Sequence, residues 1–421
     1  MTGLLHNGAR WKRRYWKCCP MNRTICGIVS ISVLTLWAAA VQAQSTASGL
    51  REMVVNGTTS LRVRYRLEHV DQEDFAEQAL ASTALGRWTW NSAEANGWTI
   101  GLEADYLFTA GIEDFNSTTN GKTQFPVVAD PEGGDLNQAF LKYVGEGVTV
   151  TAGRQRINLG NQRFVGGVAF RQNEQTYDAL RVQLSRGSAS LDYTYVANIN
   201  RIFGPGDGLQ PGDWYGDTHL LRGTISPGAD QQISAFAYLF DLSNDNGPPN
   251  SNASYGLSYR GAFDFVTVDA TFARQSDYAE NPISYDAPHF SVQGAFPIGD
   301  ATLTVGYDVL GSDDGRHAFR TPSATLHRYQ GWTDKFLIAP PDGVKDAWFS
   351  IAGNVGGARL TGVYHDFSAD EGGRSYGSEL GFDVTYTLPN RVSLEFKIAS
   401  YDPDGYATDT TKAWFIVGYA L

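Results

Sequence analysis

The sequence predicts an all-β protein, a transmembrane antiparallel β-barrel of about eighteen strands. Apolar and polar residues alternate with a period of two along most of the chain, which is typical of strands with one apolar and one polar face. The connections between these segments alternate between short and long. Aromatic residues make up 13% of the chain, there are 46 glycines, and only 19% of residues are charged, a composition rich in strand and turn formers.

The alternation is clearest in residues 61–68, which read LRVRYRLE with apolar and charged residues on opposite parities. Similar segments recur to the end of the chain, where Ala413, Phe415, Val417 and Tyr419 share one parity. We expect strands of about nine to eleven residues, enough to cross a bilayer when tilted by about 45°. Strands of soluble proteins average about five or six residues.

The loop lengths distinguish a membrane barrel from a secreted β-sandwich or β-helix. A sandwich has no reason to place short and long connections alternately, and no repeat of 20–50 residues supports a β-helix. Alternation of this kind predicts short periplasmic turns and long extracellular loops. The predicted short turns are 145–147, 185–189, 226–230, 261–264, 297–300, 354–357 and 389–390. The predicted long loops are 110–136, 157–176, 200–218, 241–253, 274–288, 310–346, 366–375 and 400–411.

The first 43 residues have the features of a leader and signal peptide, with a short basic region before an apolar stretch and small residues up to Ala43. The apolar stretch is too short for a membrane anchor. We therefore expect cleavage after Ala43, a short N-terminal segment over 44–53, and a single barrel over 54–421. All three cysteines lie within the first 26 residues, which excludes disulfides and cysteine metal sites from the barrel. The predicted location is the bacterial outer membrane.

The polar parity gives the predicted lining of the barrel, because a charge facing lipid costs about 2–4 kcal/mol at the midplane. A lumen with many charges holds water, and about eighteen strands leave room for a channel. The inward basic residues predicted in this way are Arg62, Arg64, Arg66, Arg87, Arg181, Arg222, Arg260 and Lys397. The inward acidic residues include Glu103, Asp105 and Asp192, with Asp269, Asp308, Glu379, Asp383 and Glu395.

The arginines favour an anionic solute, since a guanidinium forms paired hydrogen bonds with a carboxylate. Three of them, Arg62, Arg64 and Arg66, come from one predicted strand. The alternative is that lumen arginines and acids merely neutralise one another. Residues 148–156 do not fit the parity rule, because Arg154 and Arg156 share the parity of Val148 and Val150. Either the membrane segment ends near Ala152 or a bulge re-aims the chain there.

Two stretches resemble the alginate-export family of outer-membrane proteins. The first runs GRQRINL from Gly153, continues NQRFVG from Asn161, and resumes FRQNEQTYDALR from Phe170; the second reads HRYQGWTDKFL from His327, followed by Pro341-Asp342-Gly343. The resemblance implies an eighteen-stranded barrel with an electropositive constriction that passes a polyuronate outward. It makes Arg154, Arg156, Arg171 and Arg181 candidates for lumen or constriction contacts with the solute. The second stretch lies in loop 310–346, which either folds inward and narrows the pore or packs at the surface on its own aromatics.

The predicted function is a channel for a hydrophilic, anionic solute, such as a polyuronate polymer or oligosaccharide. A general diffusion porin is the first alternative, and a barrel-based enzyme or an adhesin is less favoured. No His-Glu-x-x-His motif is present, and most histidines after residue 43 lie at strand ends or in loops, so we predict no enzyme, catalytic site, metal site or cofactor. The expected partners are outer-membrane lipids, lipopolysaccharide, the barrel-assembly machinery and the solute.

Net charge excludes one class of partner. The chain holds 33 basic and 45 acidic residues, and six of the basic residues but no acid lie in 1–43. The remainder therefore has a formal charge of −18. Because nucleic acids are bound through basic surfaces, we expect no nucleic-acid partner.

Overall fold

A computed structural model of the chain describes residues 46–421. The predicted leader and signal peptide, residues 1–43, lie outside these residues. Helix α1 occupies Thr46–Val55. The compact unit that contains the barrel runs from Met53 to Leu421.

Across residues 46–421, no helix combines the length and the apolar character needed to cross a membrane.

Eighteen strands form one closed sheet. They are β1 (Thr58–Gln72), β2 (Ala79–Asn91), β3 (Trp98–Asp114), β4 (Gly133–Gly145), β5 (Val148–Gln155), β6 (Thr176–Arg186), β7 (Ala189–Asn200), β8 (Asp213–Gly228), β9 (Gln231–Phe240), β10 (Asn252–Phe263), β11 (Val266–Asp277), β12 (Asp286–Ile298), β13 (Ala301–Leu310), β16 (Val344–Val355), β17 (Ala358–Ser368), β18 (Ser375–Thr387), β19 (Val392–Pro403) and β20 (Thr410–Ala420). Two short strands, β14 (Ser312–Asp313) and β15 (His317–Ala318), form a small hairpin between β13 and β16. Single-turn 3-10 helices lie at Pro248–Asn250 and Leu326–Arg328.

Each barrel strand pairs antiparallel with the next, and β1 pairs with β20 to close the cylinder. Backbone hydrogen bonds between Leu61 and Leu421, 2.9 and 3.3 Å long, complete the seam. The predicted eighteen-stranded antiparallel barrel is confirmed. Closure pairs every strand edge, which is what a sheet needs in a medium that offers no hydrogen bonds.

Several strands are longer than the expected nine to eleven residues. The longest is β3 with 17 residues, whereas β5 has 8. Strand β3 ends at Glu113 and Asp114, charged residues that belong above the lipid rather than within it. Hydrogen-bonded pairing therefore continues beyond the apolar segment. A strand length estimated from the apolar segment alone is too short.

The outer face of the barrel is apolar. Strand β1 shows the rule, because Leu61 and Val63 are more than 40% exposed whereas Arg66 and Glu68, on the other parity, are buried. The same outward apolar parity is seen at Trp88, Phe108, Leu141, Leu191, Leu221, Leu257, Phe272, Phe290, Phe349, Ile351, Phe382, Phe396 and Phe415. Such a surface is stable in lipid and unstable in water.

The two ends of the barrel differ. At one end, the turn end, most pairs of strands are joined by two to four residues; at the other, the loop end, the connections are longer. Three of these loops turn into the lumen, namely 115–132 (loop A), 156–175 (loop B) and 311–343 (loop C). Loops B and C meet there, where Val165 pairs with Ser323 and Gly166 donates to the Ser323 carbonyl at 2.8 Å. Loop C therefore takes the inward course of the two alternatives.

The hydrophobic core lies inside the barrel, toward the loop end, and is formed by the loops against the inner wall. Phe164 of loop B packs on Phe236 of β9 and on Phe319 of loop C, with ring centroids 4.9 and 5.8 Å apart. Phe336 of loop C packs in the same way on Phe367 of β17. These buried contacts hold the loops within the cylinder and narrow the lumen.

Candidate functional site

The arginines of β1 hold loop B. Arg64 donates from Nε to Gln172 Oε1 at 2.7 Å and from Nη1 to the Ala169 carbonyl at 3.2 Å. Arg66 is fully buried, donates to the Phe170 carbonyl, and lies 3.4 Å from the Asp130 carboxylate of loop A. The sequence predicts that these side chains face the solute. In the structure, the guanidinium groups of Arg64 and Arg66 donate to loop B instead. Of the three arginines only Arg62, two residues nearer the turn end, is exposed.

A second cluster joins β2 and β3 to loop B. The Arg87 guanidinium lies 2.5 Å from both the Asp105 and the Glu174 carboxylates, and Arg156 pairs with Glu103 and Glu174. Burial alone would raise the pKa of the Glu174 carboxyl, but Arg87 and Arg156 outweigh it and the pKa is lowered. Burial would likewise lower the pKa of Arg156, but Glu174 and Glu103 raise it. Its two arginines pair with its three carboxylates rather than with a solute, as the alternative proposed, and the cluster has a formal charge of −1.

Gly153 explains the parity anomaly before loop B. Its φ is +113°, which L side chains rarely adopt, and β5 ends two residues later at Gln155. Arg156 then points into the lumen, whereas Arg154 remains on the face opposite buried Thr151. Arg154 pairs with Asp178 at 2.7 Å, on the outward parity that Asp178 shares with exposed Leu180. The lumen position that the resemblance implies for Arg154 is therefore incorrect, because Arg154 keeps the outward parity of Val148 and Val150.

Phe170, at the tip of loop B, is surrounded by cations. The Arg66 guanidinium carbon lies 4.4 Å from the ring centroid and the Lys397 ammonium 4.7 Å from it. The ring also stacks on His327 of loop C at 3.6 Å, and Arg171 beside it pairs with Glu68 at 2.5 Å. Cations over an aromatic face are attracted by its quadrupole. Arg171 and Lys397, predicted to contact the solute, thus contribute to this joint between the two loops and the wall.

Loop C has its own anchors. Glu379 of β18 accepts hydrogen bonds from the Trp332 and Thr333 amides and from the Thr333 hydroxyl. Asp334 pairs with Lys412 of β20 at 2.9 Å. Burial would raise the pKa of Asp334, but Lys412 and His327 outweigh it and the pKa is lowered, while burial lowers the pKa of His327 to about 3. No local signal in the sequence joins Asp334 to Lys412, because 78 residues separate them.

The half of the lumen nearer the turn end is more open. Arg260 is 63% exposed and lies 3.1 Å from Asp269. Arg181 pairs with Asp192, and Arg222 donates to the Ser234 and Ser258 hydroxyls at 2.9 and 3.3 Å. These residues face the inside of the barrel and, like Arg62, are predicted lining residues that remain in contact with open space.

One sequence pattern resembles a catalytic motif. Residues 373–377 read Gly-Arg-Ser-Tyr-Gly, which fits the Gly-x-Ser-x-Gly pattern of hydrolases. That motif needs a strand that turns sharply into a helix. Here Ser375 starts β18 and pairs through its backbone with Ser368 of β17, so the serine lies at the beginning of a strand and no nucleophile elbow forms.

No protein-family model matches the chain, and no curated protein matches its sequence. Solved structures do match it in fold. OccK3 (OpdO) of Pseudomonas aeruginosa superimposes with a TM-score of 0.67 at 13% identity, covering 90% of this chain and 99% of its own. OccAB2 of Acinetobacter baumannii gives 0.68 at 14%, covering 88% and 99%, and OpdL of Pseudomonas aeruginosa gives 0.65 at 15%, covering 87% and 99%.

These neighbours are outer-membrane porins with eighteen-stranded barrels, and they are channels rather than enzymes. At such low identity the likeness shows the fold alone. It supports a porin-like barrel and is consistent with the predicted outer-membrane location, but it does not extend to the alginate-export family.

Proposed function

We propose that this chain is an outer-membrane channel for hydrophilic solutes that favours anionic ones, with uronate oligosaccharides as the first candidates. The observation that carries the proposal is the contrast between the two faces of the barrel. The outer face is apolar along the middle of the strands, whereas the inner face bears ionised arginines, lysines and carboxylates. Charged groups inside a cylinder keep it hydrated and select among solutes by charge. The porin neighbours in fold support the same assignment.

The preference for anions rests on the charges left over in the half nearer the turn end. Within residues 46–421, six inward cations at the level of Asp383 and Glu395 or nearer the turn end have no carboxylate within ion-pair distance: Arg62, Arg64, Lys142, Arg222, Arg359 and Lys397. The acids without an ion-pair partner on the same inward surface are Asp383 and Glu395. The excess of positive charge raises the local concentration of anions, because a low-dielectric wall focuses the field.

The inserted loops bear on the size of the solute. Loops A, B and C fill part of the loop-end half, and their contacts with the wall are buried. A narrowed lumen favours single sugars and short oligosaccharides. A polyuronate chain, the solute implied by the resemblance to the alginate-export family, would have to pass the same constriction in an extended form.

Uptake of labelled glucuronate and glucose into proteoliposomes tests the anion preference, since the two differ by one carboxylate. We expect glucuronate to enter several-fold faster than glucose at low ionic strength, and the difference to shrink as salt screens the lumen charges. Protein-free liposomes are the control. Equal rates of entry for the two sugars would contradict the preference for anions and indicate a general diffusion channel. Faster entry of glucose would contradict the preference as well. Competition by short oligouronates, compared with neutral oligosaccharides, then extends the measurement to longer solutes.

A further inference from the structure

A niche lies between the start of loop B and the inner wall of β6, β7 and β8. Its volume is about 270 Å³, many times the roughly 10–15 Å³ that a single water molecule needs. Wall residues Arg181, Gln183, Asp192, Arg222 and Thr224 line one side. Residues 158–160 of loop B line the other. The niche is therefore built jointly by the barrel and the inserted loop.

Three charged residues form a row across the wall of this niche. Arg181, Asp192 and Arg222 come from adjacent strands, and Asp192 is the direct cross-strand partner of Arg222. The Asp192 carboxylate nevertheless turns to Arg181, whose Nε lies 3.0 and 3.1 Å from its two oxygens. The row thus holds two guanidinium groups and one carboxylate, which pairs with Arg181 alone, and its net charge is +1.

Arg222 is the residue that this arrangement leaves without a carboxylate among the described residues. Its Nη2 donates to the Ser234 and Ser258 hydroxyls, neutral acceptors that fix the guanidinium against the wall. On the loop side it faces Gly160, whose φ is +56° and where a Cβ would lie 3.0 Å from Nη1. Because Gly160 has no side chain, the loop passes close to the guanidinium while Arg222 stays half-exposed. A fixed, partly enclosed arginine without a counter-ion is suited to bind an anion.

We propose that this niche is a binding site for the carboxylate of a small hydrophilic solute, with Arg222 as the group that binds it. The proposal rests on the proposed function, because a solute must enter the lumen to reach the niche. The carboxylate pairs with the Arg222 guanidinium, and Gln183 and Thr224 provide further hydrogen-bonding groups for the hydroxyls of the solute. A neutral sugar of the same size lacks the charge-assisted contact and binds more weakly.

Saturation-transfer NMR on the full chain folded in detergent tests the site without any need for conduction. Glucuronate is the probe and glucose its neutral match. We expect saturable glucuronate binding that Arg222→Gln weakens about tenfold or more, as the loss of a hydrogen-bonded ion pair predicts. Arg222→Lys, which keeps the charge but loses the planar fork, should fall in between. Arg274→Gln is the matched control, since Arg274 pairs with Asp286 at 2.7 Å on the outward parity of Phe272 and lies outside the lumen.

The outcomes separate the site from the channel. Unchanged glucuronate binding in Arg222→Gln, with the barrel folded as judged by its heat-modifiable mobility, overturns the proposed site. Equal binding of glucose and glucuronate to the unmodified protein overturns it as well. If glucuronate binding depends on Arg222 but uptake into proteoliposomes fails, the site stands and the proposed function falls. The variant Thr224→Cys provides an independent readout of where the solute binds, since glucuronate should slow its modification by an anionic thiol reagent.

Discussion

Replacing Arg66 with methionine is expected to release loop B and increase the ion current through the barrel. Methionine keeps much of the packing on Phe170 but removes the donor to the Phe170 carbonyl and the partner of Asp130. Breaking a buried ion pair by removing one member costs about 3–5 kcal/mol. A loss of about 3 kcal/mol raises the population of detached loop by about two orders of magnitude. Single-channel recording should show a larger mean conductance and added current noise.

The control for this change is Arg62→Met, on the same strand and the same inward parity. Arg62 is exposed, so its removal alters the lumen charge without removing an anchor of loop B. If Arg66→Met records with the conductance and noise of the unmodified protein, or if Arg62→Met increases the noise as much, loop B is not held by Arg66. The thermal mobility shift should remain in both variants, because the strand pairing of the barrel does not depend on the loop.

Replacing Glu379 with alanine should release loop C in the same manner. Glu379 is 1% exposed and accepts the Trp332 amide, the Thr333 amide and the Thr333 hydroxyl. Each buried donor left without an acceptor costs about 1–3 kcal/mol. The loss of three such hydrogen bonds therefore destabilises the inserted position of loop C more than the loss of a single contact would. We expect faster cleavage of loop C by proteases added at the loop end, together with a larger conductance.

Glu379→Gln is the graded control, since an amide carbonyl still accepts hydrogen bonds but has no charge. Its cleavage rate and conductance should fall between those of Glu379→Ala and the unmodified protein. Protection of loop C in Glu379→Ala equal to that in the unmodified protein would show that Asp334 and Lys412 suffice to hold the loop. A variant with Lys412→Met added to Glu379→Ala then distinguishes a redundant anchor from an irrelevant one.

The sequence predicted the barrel because local chemistry determines it. Leu61 and Val63 must face lipid, so Arg64 and Arg66 face inward whatever the rest of the chain does. The same local rule could not foresee what those arginines contact, since loop B begins about 90 residues later and folds back into the lumen. Inward parity alone predicts exposure to solute, whereas the inserted loop B accepts the hydrogen bonds of Arg64 and Arg66.

The candidate site shows the same division. Alternation identified Arg222 as inward, but its lack of a carboxylate depends on Asp192 turning to Arg181, and its access depends on Gly160 of the loop. The approach of Gly160 to Arg222 is a contact between segments far apart in the chain. The pairing of Asp192 is a choice between two neighbouring arginines, Arg181 and Arg222. Arg154 differs for the opposite reason: the resemblance makes it a lumen candidate, whereas the parity that it shares with Val148 and Val150 places it on the outward face, as the structure does.

Planar-bilayer recording of the unmodified, folded protein tests the central claim most directly. A charged, hydrated lumen within a closed eighteen-stranded barrel predicts discrete current steps, linear in voltage, with a reversal potential in a salt gradient that shows a preference for anions. Folded protein, verified by its heat-modifiable mobility, that inserts but never conducts, either alone or with Arg66→Met and Glu379→Ala combined, would contradict the channel. A stable preference for cations would contradict the assignment of an anionic solute.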